Sequence, residues 1–195
     1  MKKQFLILLP LVVSALAGCS KTKTYPCSDY LTSIEWKDVD NDFRVLQLCD
    51  IHFSQVDQYE RHFGLMDLTI KDADPDLIVL NGDSFTYADK TTVSHLFNFI
   101  ESYGIPWTFT FGNHDDQGYY PDNYIQRLLS DNSTYKHVKF VNIENDDVSG
   151  RGNFAINIYQ NKDYKNVKFQ VYLLDSHSYN FDTFKYDYLK EDQIN

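Results

Sequence analysis

The chain has 195 residues, of which 43% are hydrophobic, 24% charged and 16% aromatic. This is the composition of a folded globular protein and excludes a disordered or collagen-like chain. Acids outnumber bases 28 to 18, for a net charge of −10, which argues against a general nucleic-acid or anionic-lipid binder but leaves room for a small anion held by a local cation.

The N-terminus reads as an address. Lys2 and Lys3 precede an apolar run from Phe5 to Ala17, broken by Pro10 and Ser14. The run is too short for a comfortable membrane span. It ends in Leu16-Ala17-Gly18-Cys19, which resembles a bacterial lipoprotein signal: small residues let a peptidase cut ahead of the thiol, and Cys19 then carries lipid. The expectation is a leader over 1–18 and a membrane partner reached through the lipid on Cys19. The location expected is the bacterial cell envelope, with the protein lipid-anchored and facing the periplasm or the surface. Loss of the leader lowers the bases from 18 to 16 and takes the net charge to −12. The other thiols are Cys27 and Cys49. Export permits a bridge between them, although Cys49 reads better as a small apolar side chain buried at a strand end.

Residues 19–42 read as a linker and N-terminal segment. Phe43 to Cys49 is the first predicted strand. Tyr59 to Ala73 predicts a helix with Phe63, Met66 and Ile70 on one side, stopped by Pro75. Leu77-Ile78-Val79-Leu80 is a continuous apolar run typical of a strand covered on both faces. Thr91 to Tyr103 predicts a second helix with Val93, Leu96, Phe97 and Ile100 on one face, and Trp107 to Phe111 a third strand. Strand, helix, strand, helix, strand signals parallel crossover units. Beyond these, Asp122 to Leu129 reads as a short helix and Lys139 to Asn142 as a strand. Asn153 to Tyr159 and Val167 to Leu174 alternate as an antiparallel pair, and another helix starts at Tyr186. The fold class expected is α/β, with mixed sheets flanked by helices.

Each of the three parallel strands ends in a polar cluster: Asp50-Ile51-His52, Asn81-Gly82-Asp83 and Gly112-Asn113-His114-Asp115-Asp116. The carboxyl ends of parallel strands open onto one crevice, so clusters about 30 residues apart are expected to meet. Carboxylate, imidazole and amide oxygen together suit divalent ions such as Mn, Fe, Zn, Ni or Co. In an extended stretch Asp50 and His52 would point the same way and grip one ion. Asp83 could bridge two ions.

In this order and spacing, Asp-x-His, Gly-Asp and Gly-Asn-His-Asp resemble the first three blocks of the calcineurin-like metallophosphoesterases. Leu174-Asp175-Ser176-His177-Ser178-Tyr179 is similar to a later segment in the branch near the purple-acid-phosphatase-like proteins. The resemblance implies a β-sandwich with outer helices over residues 43–195, and two divalent metal ions. Asp50 and His52 would bind one ion, Asp83 would bridge, and Asn113 would bind the other. His114 would protonate the leaving oxygen, and Asp115 would orient and charge-stabilise His114. The implied reaction is hydrolysis of a small phosphate ester by a metal-activated hydroxide, with a nucleotide among the substrates that fit. Thr86 is the third residue after Asp83, so the tyrosinate ligand of the purple enzymes is not expected. The family's downstream Gly-His-x-His does not occur after Asp115, so the domain is expected to lack its C-terminal part and its activity to be impaired. The alternative is a non-catalytic surface lipoprotein that binds a partner or a single metal.

Overall fold

The computed structural model describes residues 27–36, 38, 40–54, 59–115, 117, 124–131, 133–143, 148–160, 166–180 and 182–194. The expected leader, Cys19 and Asp116 lie outside these residues. After a 3-10 turn (Cys27–Tyr30) the order is β1 (Leu31–Trp36), β2 (Val45–Leu48), α1 (Tyr59–Ala73), β3 (Leu77–Asn81), α2 (Lys90–Glu101), β4 (Trp107–Thr110), α3 (Tyr124–Ser130), β5 (Phe154–Gln160) and β6 (Val167–Leu173). A two-stranded hairpin, β7 (Tyr179–Asn180) with β8 (Lys185–Tyr186), and a helical turn α4 (Glu191–Ile194) follow. Among the described residues no helix is long and apolar enough to cross a membrane.

Two three-stranded sheets form the frame. One runs β2-β3-β4, all parallel. The other runs β1-β5-β6, with β1 parallel and β6 antiparallel to β5. Strand β3 shows why they stack. Its side chains alternate in direction. Ile78 and Leu80 join the core beneath α1 and α2, together with Met66, Ile70, Leu96, Phe97 and Ile100. Leu77 and Val79 face the other sheet and pack with Ile34, Phe154, Ile156 and Ile158. The result is a β-sandwich with helices outside one sheet, as expected for a strand run that is apolar on both faces.

The helices follow their apolar stripes. Helix α1 has the expected bounds, and Asp74 ends it with φ 43° just before Pro75. Helix α2 starts at Lys90 because the Asp89 carboxylate accepts from the Thr92 amide (2.8 Å) and hydroxyl (2.7 Å), a side-chain cap on orphan donors.

Four expectations are corrected. Strand β1 lies inside segment 19–42, where no element was expected. Its partner β5 is more than 100 residues away, and local pattern carries no trace of that pairing. Lys139 to Asn142 is not a strand. The chain crosses β4 at a single bridge, Trp107 with Val138, and the Thr108 hydroxyl then takes the Lys139 carbonyl that a ladder would need (2.6 Å). The helix expected from Tyr186 begins only at Glu191, because Lys185 and Tyr186 pair with β7. Cys49 is exposed, as is Cys27, and both thiols are free. It continues the outward parity of Val45 and Gln47 on an edge strand.

Glu101 clamps α2 to the chain beyond α3. It accepts from the Trp107 indole (2.7 Å), the Lys136 amide (2.8 Å) and the His137 ring (2.8 Å). Burial pushes its carboxyl up, but these donors together outweigh it and hold the group below the ordinary carboxylate range. A depressed carboxyl adds stability that is present above its unfolded value and is lost as pH falls through the folded one. Glu101→Gln is therefore expected to cost about 1–3 kcal/mol at neutral pH in urea melts. The deficit should shrink as the medium is acidified through the carboxylate range.

Candidate metal centre

Past β2 and β3 the backbone stays paired, but leaves regular strand geometry. The Asp50 amide donates to the Gly82 carbonyl (3.2 Å), His52 to Asp83 (2.9 Å) and Phe53 to Ser84 (2.9 Å), while the Thr86 amide returns a bond to Phe53 (3.2 Å). Within this ladder Asp50, His52 and Asp83 have φ of 51°, 50° and 49°. Left-handed backbone is costly for residues with a Cβ and persists where its surroundings fix it. Asp50 and His52 thus converge through two left-handed kinks and not, as expected, through alternation in an extended strand.

The kinks bring donor atoms of Asp50, His52 and Asp83 within 4.8 Å of one another. His52 Nε2 lies 3.8 Å from Asp50 Oδ1, and the side chains of Asp50 and His52 are 73% and 42% exposed, open to an incoming ion. The three residues form the candidate metal group among the described residues. Two carboxylates and an imidazole suit a borderline or hard divalent cation.

The third cluster locks on from β4. The His114 amide donates to Asp83 Oδ1 (2.8 Å), and the His114 ring meets the His52 ring edge-on, with centroids 4.9 Å apart. Gly112 makes the approach possible. A Cβ there would sit 2.3 Å from the Asp83 amide nitrogen and from its Oδ1, closer than a methyl group can come. Asn113 follows, half-buried, between Gly112 and His114. A cavity of about 360 Å³ opens at this end of the sheet, lined by Asp50, Asn81, Asp83, Thr110, Gly112 and Ser176, among others.

The expected role of Asp115 is corrected. Its carboxylate does not touch the His114 ring. One oxygen accepts from the Phe85 amide (2.9 Å) and the other from Gly112 (2.7 Å). Both bonds turn it inward, away from the imidazole. Burial pushes this carboxyl up to about 7, against the pull of the two amides and with the Asp83 charge adding to the rise. The partner of His114 Nδ1 is instead Gln117 Oε1 (2.8 Å), brought round by a turn in which the Gln117 amide donates to the His114 carbonyl (3.0 Å). Thr86, marked in the sequence only as standing where the purple enzymes carry a tyrosine, has its hydroxyl 2.7 Å from His52 Nδ1. No motif marks either residue. The signal available was position alone, three residues after Asp83 and three after His114.

His177 takes a structural place. Its Nε2 is bonded to Gln193 Oε1 (3.0 Å), and Gln193 also donates to Asn153 Oδ1 and to the Asp175 carbonyl. This network fastens the C-terminal turn to the start of β5.

Residues 43–193 match the family described as Calcineurin-like phosphoesterase. The protein named Phosphatase DCR2 from Saccharomyces cerevisiae is 26% identical over 175 residues, covering 77% of this chain and 30% of its own length. A Probable cyclic nucleotide phosphodiesterase from Moraxella catarrhalis is 32% identical over 77 residues, 37% of this chain and 27% of its own length. The chain therefore spans less than a third of either relative.

Gly112→Ala is expected to push Asp83 out of place and cost about 1–3 kcal/mol in urea melts. Calorimetric titration with Mn²⁺ should show weakened binding in the same variant.

Proposed function

This chain belongs to the calcineurin-like phosphoesterases, and we propose that it hydrolyses small phosphate esters at a site for two divalent cations. One observation carries the reading: the Asp50, His52 and Asp83 donors, from two crossover units, converge within 4.8 Å in left-handed backbone beside an open cavity. The donor set fits the cations. Asp50 and His52 would hold one, Asp83 would be shared, and the amide oxygen of Asn113 would serve the other. Bound divalent ions supply a nucleophilic water near neutral pH and neutralise phosphate oxygens.

The chain's own groups do the rest. A carboxylate in the Asp83 position can serve both ions because one of its oxygens is already oriented by the His114 amide. In its protonated form the His114 ring donates from Nδ1 to Gln117 Oε1, and its Nε2–H can pass a proton to the departing ester oxygen, leaving the neutral Nδ1–H ring. Asp115 acts as a positioning residue. It ties the backbone that follows Asp83 to the backbone that precedes Asn113, and so keeps both ligand segments in register.

The test is turnover of p-nitrophenyl phosphate and bis-p-nitrophenyl phosphate with added Mn²⁺. Asp83→Asn is expected to lower kcat/KM at least about 10³-fold, since several kcal/mol of transition-state stabilisation depend on the cations. His114→Ala should lower kcat by about 10²–10⁴-fold and leave Mn²⁺ affinity within a few-fold. Metal binding without turnover of either ester would support a non-catalytic metal-binding lipoprotein instead.

Lipid anchoring belongs to the same reading, supported by Leu16-Ala17-Gly18-Cys19. Cys19→Ser, expressed in a bacterial host, is expected to move the protein from the membrane fraction to the soluble one and to abolish incorporation of labelled palmitate.

A further inference from the structure

His52 can serve as a ligand only through a nitrogen that carries no proton. A neutral imidazole has one N–H, so its two nitrogens compete for that role, and the hydrogen bond made by one decides the state of the other. The ladder beyond β2 and β3 places a partner at one of the two nitrogens. The bonds from Phe53 to Ser84 and from Thr86 to Phe53, with the Phe53–Phe85 bridge, set Thr86 beside the ring of His52. The Thr86 hydroxyl then meets Nδ1 at 2.7 Å, while Nε2 faces Asp50 Oδ1 across 3.8 Å. A hydroxyl can accept from Nδ1–H and turn its own proton elsewhere.

We propose that Thr86 is a positioning residue that holds His52 as the Nδ1–H tautomer and so makes Nε2 the metal-facing nitrogen. The inference rests on the metal-dependent reading of this site, but concerns the state of the ring before any ion arrives. Thr86 supplies this orientation without charge. Two carboxylates, Asp50 and Asp83, already face the site, and a third beside them would add repulsion among the ligands. A neutral acceptor fixes the ring without that repulsion. Partners of this kind, one bond behind a ligand, typically change metal affinity 10–100-fold when removed.

Two variants separate this role from simple packing. Thr86→Val keeps the branched shape and removes the hydroxyl. Thr86→Ser keeps the hydroxyl and removes a methyl group. Long-range ¹⁵N–¹H NMR on the metal-free protein, at a pH where the ring is neutral, reads the tautomer of His52 directly. The wild type and Thr86→Ser should show Nδ1–H, and Thr86→Val a shift toward Nε2–H. Calorimetric titration with Mn²⁺ should give about 10–100-fold weaker binding for Thr86→Val and a value within a few-fold of wild type for Thr86→Ser. Urea melts of the metal-free proteins should show Thr86→Val folded. An unchanged tautomer in Thr86→Val overturns the proposal, as does equal loss of Mn²⁺ binding in both variants. Absence of Mn²⁺ binding by the wild type would instead overturn the metal-dependent reading, and the NMR result would still decide the role of Thr86.

Discussion

A single buried carboxylate holds the candidate site in shape. Asp115 spends both oxygens on backbone amides, one just beyond Asp83 and one at Gly112. The two loops it joins leave neighbouring parallel strands and would otherwise be free to splay. With them tied, the Gly112 backbone lies against Asp83, and the His114 amide reaches the Asp83 carboxylate. The cost of burying this acid is visible in its raised pKa, and the amides it satisfies would themselves be costly to leave unpaired.

The architecture around this tie is a consequence of β3. As the middle strand of a parallel sheet, it has apolar side chains on both faces, which feed two separate cores. Neighbours on either side bring their carboxyl ends level with its own. The polar residues that follow each strand have no choice but to gather at one edge of the sandwich. The left-handed backbone at Asp50, His52 and Asp83 is the local distortion by which gathered residues become converging ones.

Much of this was readable from residues alone. The periodicity of α1 and α2, the doubly apolar run of β3 and the alternation in β5 and β6 all report local burial, and local burial is what a sequence pattern encodes. The three polar clusters were equally plain, because each stands directly after a strand. What escaped has a common cause. β1 pairs with a strand more than 100 residues downstream. Thr86 and Gln117 reach their imidazoles through turns, and Asp115 faces inward because two amides happen to lie there. Each depends on a contact between segments whose relative placement no local pattern records. Cys49 failed for a different reason: the strand was read correctly, but whether its outward side chains are covered depends on what lies beside β2, which stands at the edge of its sheet among the described residues.

Strand β1 carries one more consequence. It runs beside β5 for its full length and buries Ile34 in the sandwich, so the chain is fixed to the body of the protein from Leu31 onward. Eleven residues separate Leu31 from Cys19, and the last four of them form the 3-10 turn, so the tether reaches at most about 40 Å. A lipid on Cys19 would therefore hold Leu31, and the body fixed to it, on a short leash beside the bilayer. Its working range would be the thin layer of solvent at the membrane face.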